Sequence, residues 1–110
     1  MLSHPLLAEL EACARSRLGQ AFCITTVSPV SGGDINTALC LAGPAGKAIV
    51  KLRPAADAPM FAAEAEGLAA LAACDAIRVP SVLGHGVCAD QAWLLLEWLN
   101  LSPLRTPDDA

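Results

Sequence analysis

Ile49-Val50-Lys51-Leu52, followed by Met60-Phe61-Ala62-Ala63-Glu64-Ala65-Glu66-Gly67-Leu68, are the two stretches that decide the fold. The first belongs to a short apolar run, Ala48 to Leu52, that reads as a strand with a lysine near its middle. The second is alanine-rich and spaces Phe61, Leu68, Leu71 and Ala72 as a helix from about Met60 to Cys74. Pro54 to Pro59 is a breaker-rich connection between them. Strand alternation puts Ile49 and Lys51 on one face, with Val50 and Leu52 on the other. Glu64 lies three residues after Phe61 and four before Leu68, on the helical stripe that faces the sheet. Glu66 lies about 200° away around the helix and is expected to be solvated. A carboxylate on a packing face is costly unless it meets a cation. Lys51, thirteen residues earlier on the strand the helix would cover, is the natural partner. The blander readings are a lysine on an open sheet face and a glutamate at the edge of the stripe.

Outward from this pair, the rest of the chain supplies more strands and one more helix. Ser3 can cap a helix whose first turn holds Pro5, with apolar spacing at Leu6, Leu7, Leu10, Ala14 and Leu18 and a stop at Gly19. Phe22 to Val30 reads as a strand, Ser31-Gly32-Gly33-Asp34 as a turn, and Ile35 to Leu41 as a second strand. In that second strand Asn36, Ala38 and Cys40 alternate with the apolar residues. Gly43-Pro44-Ala45-Gly46 is a strong turn signal, so the first three strands form an antiparallel meander. After the central helix, Val79-Pro80 breaks the chain, and Val82-Leu83 and Val87 suggest a short strand. Ala89-Asp90 suggests a turn and Ala92 to Leu96 a buried strand. The fold expected is α+β: a five-stranded antiparallel sheet, an N-terminal helix over residues 1–20, and a helix between strands three and four. Residues 21–99 form the sheet lobe, and 100–110 begin a polar, proline-bearing tail.

Bulk properties narrow the function classes. The 110 residues suffice for one modest core, and 55% hydrophobic content argues against disorder. A net charge of −4 offers no basic surface for phosphate backbones, so no nucleic-acid partner is expected. No apolar run of about 20 residues suggests a membrane helix, and Met1-Leu2-Ser3-His4-Pro5 does not start like a signal peptide. A cytoplasmic protein without a membrane partner is expected. Cys13, Cys23, Cys40, Cys74 and Cys88 are odd in number and form no C-x-x-C pair, so neither zinc nor a disulfide framework fits. They read as small core residues in a reducing compartment. His85, in Gly84-His85-Gly86, reads as a turn or strand-end residue.

Four features could carry chemistry. Gly32 and Gly33, within Ser31-Gly32-Gly33-Asp34-Ile35-Asn36, would let backbone N–H groups approach a phosphate, although the segment taken alone is a weak signal and reads first as an ordinary hairpin turn. Lys51 and Glu64 are the second and third. The fourth is Leu94-Leu95-Leu96-Glu97-Trp98-Leu99, a buried strand running into an acidic residue and an aromatic. It is either a plain strand end or a hinge whose backbone hydrogen-bonds a purine.

The order of these parts is that of a kinase small lobe. The wording of Ser31 to Asn36, Val50-Lys51, Met60 to Leu68, Ile77-Arg78-Val79-Pro80-Ser81-Val82-Leu83-Gly84 and Leu95 to Leu99 resembles the fructosamine (ketosamine) kinase family, within the wider aminoglycoside-phosphotransferase-like group. The resemblance covers roughly residues 20 to 102. It implies that Gly32, Gly33, Asp34, Ile35 and Asn36 form a loop over the nucleotide. Lys51 would hold the α- and β-phosphates, Glu64 would fix its aim, and Ile49 would lie over adenine. The backbone of Glu97, Trp98 and Leu99 would read the adenine edge. ATP and Mg2+ are the implied cofactors and a ketosamine or glycated amine the implied substrate, with deglycation as the role. Asp34 stands where some family members carry a cysteine, which puts redox control through a loop thiol in doubt; it is expected to point away from the phosphates.

The family's catalytic aspartate, in a His-Gly-Asp context, and its later magnesium-binding aspartate have no counterpart in these 110 residues. The resemblance therefore implies a small lobe, inactive by itself, of an enzyme completed by a second lobe. Apart from an unrelated α+β fold with this order of motifs by chance, two other readings remain open at this level. One is a related kinase acting on an aminoglycoside, choline or homoserine. The other is a stand-alone nucleotide-binding or interaction module that self-associates through Trp98, Leu99, Leu101 and Leu104.

Overall fold

The computed structural model describes residues 3–30, 37–74 and 79–98. The first helix, α1 (His4–Leu18), starts where expected: the Ser3 hydroxyl accepts from the Leu6 N–H at 3.3 Å, and Pro5 occupies the first turn. Gly19, at φ 116°, ends it in a conformation that a side chain would disfavour. Leu6, Leu10 and Ala14 are fully buried, while Leu18 is exposed.

Five strands follow: β1 (Thr26–Pro29), β2 (Thr37–Gly43), β3 (Gly46–Pro54), β4 (Val82–Cys88) and β5 (Gln91–Glu97). They form one antiparallel sheet in the order β1-β2-β3-β5-β4. A 3-10 turn (Ala55–Asp57) and α2 (Ala58–Ala72) connect β3 to β4. The architecture is the α+β one expected, with the central helix between strands three and four.

The first expected strand is shortened to Thr26–Pro29. Ahead of it, α1 side chains satisfy the backbone that a ladder would otherwise pair. The Arg15 guanidinium donates to the Phe22 carbonyl at 2.8 Å, and the Ile24 N–H donates to Glu11 Oε2 at 2.8 Å. Phe22 is thereby turned into the core beneath α1, where it is 1% exposed.

The two faces of the sheet bury different sets of residues. One face carries Leu39, Leu41, Ala48, Val50, Leu52, Leu83, Trp93 and Leu95, packed against Leu6, Leu10 and Ala14 of α1. The other carries Ala92, Leu94 and Leu96, packed against Phe61 of α2. Phe61 is the buried residue of α2; Leu71, assigned to its apolar stripe, is exposed near the helix end. Ten residues beyond Phe61, Leu71 is rotated by about 80° from it around the helix.

His85 is not at a turn or a strand end. It lies inside β4, opposite Leu94. The glycines on either side have a packing purpose instead. A Cβ at Gly84 would fall 2.5 Å from the Cys13 sulfur, and one at Gly86 would fall 3.1 Å from the Trp93 ring. Gly84 makes room for the Cys13 sulfur and Gly86 for the Trp93 indole, whose Nε1–H donates to Glu9 Oε2 at 3.0 Å. The cysteines are also less uniformly core than expected: Cys40 is buried, Cys13, Cys23 and Cys88 are half-buried, and Cys74 is exposed. Burial raises the Cys13 thiol above its ordinary range, and burial with the Glu9 carboxylate does the same at Cys88. Both are poor nucleophiles at neutral pH.

The β4–β5 turn gives a first prediction. Ala89 and Asp90 adopt φ 52° and 63°, the left-handed pair of a two-residue hairpin turn that Asn-Gly adopts at least cost. Replacing both, Ala89→Asn with Asp90→Gly, should raise stability by about 1 kcal/mol. Chemical denaturation would read this as a higher midpoint at unchanged slope.

Candidate functional site

The face of the sheet shared by Ile49 and Lys51 is laid out in rows by the strand register. Directly opposite residues in antiparallel strands share a face. Ala38 on β2 and Leu94 on β5 flank Lys51. Cys40 and Leu96 flank Ile49. One row further toward the end of β5, Ala42 lies opposite Lys47, whose Nζ sits 5.1 Å from the centre of the Trp98 ring. Successive rows are about 7 Å apart, two residues along a strand. The surface thus runs from an aromatic at the strand end, across an apolar strip, to a cation.

Lys51 Nζ lies 2.8 Å from Glu64 Oε2. Their side chains are 22% and 32% exposed, so the pair sits at the margin of solvent. A pair this accessible is worth about 1 kcal/mol at most. Its importance is directional: it holds a flexible ammonium at one place above the sheet. Glu64 is brought there because α2 buries Phe61 one turn earlier against Ala92, Leu94 and Leu96. Glu66 is exposed, as expected.

At the end of β5, Glu97 is tied to the segment before β4. Its N–H donates to the Ser81 carbonyl at 2.9 Å, and its carboxylate accepts from the Ser81 N–H at 3.0 Å. The Glu97 N–H is therefore already committed within the protein. Trp98 is half-buried beneath Lys47. Gly32, Gly33, Asp34, Ile35, Asn36 and Leu99 lie outside the described residues, as do Leu101 and Leu104. A shallow groove of about 480 Å³ between α2 and β4, lined by Ala62, Ala65, Val82 and Leu83, takes in none of the candidate residues.

Ala38 and Cys40 escaped the sequence reading. Their alternation with Leu39 and Leu41 is visible in the sequence, but which face they join depends on pairing with β3. Their side chains are the small ones beside Lys51 and Ile49 on that face, and Cys40 is buried there. Among the described residues, no helix is long and apolar enough to cross a membrane.

Comparisons with known proteins bear on what this arrangement is for. The fructosamine kinase family model matches residues 7–110. A probable ketoamine kinase of Synechocystis is 48% identical over 82 residues, covering 74% of this chain and 28% of the relative. The protein-ribulosamine 3-kinase of rice chloroplasts is 44% identical over 62 residues, covering 56% of this chain and 18% of its own length. The chain thus spans about a quarter of the length of the curated relatives it matches. A crystal structure of a Haemophilus somnus protein named as a fructosamine-3-kinase superposes with a TM-score of 0.74 at 30% identity, covering 83% of this chain and 31% of the other. With its helix–sheet order, its Lys51–Glu64 pair and a family match across nearly its whole length, this chain has a kinase-like small-lobe fold and belongs to the fructosamine kinase family.

Proposed function

We propose that this chain is the ATP-binding lobe of a kinase that phosphorylates the sugar moiety of ketosamines, the adducts of sugars with amines. The Lys51–Glu64 pair carries the reading: a lysine held 2.8 Å from a helix carboxylate, two strand positions beyond an apolar strip. Ile49, Leu96 and Cys40 would cover the adenine. The backbone beyond the committed Glu97 N–H, from the Glu97 carbonyl through Trp98 and Leu99, would read its edge. Gly32, Gly33, Asp34, Ile35 and Asn36 would lie over the phosphates.

ATP, when bound, supplies the phosphoryl group. What this chain's residues do is bind and orient. Lys51 sets one positive charge against the α- and β-phosphates, and Glu64 prevents the ammonium from swinging elsewhere. Phosphoryl transfer depends chiefly on such positioning and charge neutralisation. We assign the base that receives the sugar hydroxyl's proton, and the magnesium ligands, to a second lobe that follows the hinge. On this reading the 110 residues alone bind nucleotide weakly and turn nothing over. The setting is cytoplasmic, where deglycation of amines would be the physiological role.

The test compares acceptors. The complete gene product, given Mg-ATP, should phosphorylate a fructosyl-amine and leave an aminoglycoside untouched, as read by phosphorus NMR of the sugar product. Transfer to the aminoglycoside, choline or homoserine instead would assign the lobe to a related small-molecule kinase.

A further inference from the structure

Lys51 and Arg53 alternate on the same face of β3, and each meets a carboxylate from the segment that crosses it. Arg53 Nη2 and Nε lie 2.9 and 3.0 Å from Asp57 Oδ2, so two donors converge on one oxygen. Asp57 occupies the N-cap position of α2 yet makes no side-chain capping bond. Aspartate at that position ordinarily caps. Here the carboxylate is turned to the strand instead, while its charge still favours the helix N-terminus. Glu64 lies seven positions after Asp57, two helical turns on, so both carboxylates come off the α2 segment toward β3. Phe61 is buried between them.

We propose that the Arg53–Asp57 pair is a positioning device: it fixes where α2 leaves the sheet and so aims Glu64 at Lys51. With Phe61 as the buried anchor of α2 and Ala58, Ala65 and Leu68 only partly buried, the helix can pivot about the phenyl ring, which swings the carboxylate along the strand. A second ionic tie, on the opposite side of Phe61 from Glu64, removes that freedom. Only Pro54, Ala55 and Ala56 separate Arg53 from Asp57, so the tie has little slack. The consequence for nucleotide binding rests on the function proposed above; the placement of α2 does not.

The test uses Asp57→Asn, which keeps shape and capping capacity but removes the charge, beside Asp57→Glu, which keeps the charge. In the nucleotide-free chain, native-state amide exchange over residues 62–68 should quicken about two- to fivefold in Asp57→Asn, with α1 and β5 unchanged, the factor following from the strength of a half-exposed ion pair. Asp57→Glu should restore most of the protection. The Kd for Mg-ATP should weaken by a similar factor in Asp57→Asn, but not when Asp57→Asn is added to Glu64→Gln, where there is no longer a carboxylate to aim. Exchange that rises equally in α1 and α2, or an Asp57→Asn effect that persists undiminished in the Glu64→Gln background, would overturn the positioning role. A parent chain indifferent to Mg-ATP would overturn the nucleotide reading, and the exchange comparison would still judge the tie.

Discussion

Lys51→Met should abolish stabilisation by ATP and magnesium while leaving the fold intact. The fold survives because the lysine contributes little to it. The ion pair is half-exposed and worth about 1 kcal/mol at most, and methionine matches the aliphatic part of the side chain between Ala38 and Leu94. The freed Glu64 carboxylate can turn to water. On the proposed function, binding is lost because the cation that would meet the phosphates is gone. With nucleotide tenfold above its Kd, the parent should gain about 1.4 kcal/mol. At this size that converts to roughly 4–8 °C in Tm per kcal/mol. Differential scanning of parent and variant, with and without Mg-ATP, reads both halves together. A Lys51→Met protein that still shifts like its parent would remove Lys51 from the nucleotide site. One that melts far below the parent without ligand would make the lysine a structural residue instead.

Much of this site was legible in the sequence because its signals are local. Lys51 announces itself as a charge in an apolar strand, and Glu64 as a carboxylate on a helical stripe. The twelve residues between them are just enough for one strand end, a tight turn and nearly two turns of helix. Their meeting at 2.8 Å follows from two periodicities, 2 for the strand and 3.6 for the helix. What was not legible depends on partners distant in the chain. Ala38 and Cys40 join the Lys51 face through the β2–β3 register. Residues 22–24 look like strand, yet Arg15 and Glu11 of α1 take their backbone groups. Gly84 and Gly86 resemble turn residues, and only the Cys13 sulfur against the first and the Trp93 ring against the second show that they mark close packing inside a strand. Asp57 lies in the connection ahead of the expected helix, and only the structure shows its carboxylate at the helix start and turned to Arg53. Local pattern predicts which residue types sit on an element; distant packing decides what those residues are for.

The same division predicts that Phe61→Ala will do more damage than any single charge removal. Phe61 is 2% exposed and fills the space above Ala92, Leu94 and Leu96. The other α2 residues packed there, Ala58, Ala65 and Leu68, are only partly buried, and two of them are alanines. Truncating a buried phenylalanine costs about 3–5 kcal/mol, against a total of roughly 5–15 kcal/mol for a whole domain. The loss should not be spread evenly. The sheet's other face keeps its own core with α1, from Leu6 and Leu10 through Val50, Trp93 and Leu95. The expected outcome is therefore that α2 loosens first: its amides lose protection by orders of magnitude while those of α1 and β5 fall less, and the response to Mg-ATP disappears with Glu64's placement. Phe61→Leu, which keeps most of the volume, should retain a measurable response. If α1 and α2 instead lose protection together in Phe61→Ala, the two cores melt as one unit. Glu64 is then held by the stability of the whole lobe, and no variant of α2 can tune the lysine's aim without also moving the melting temperature.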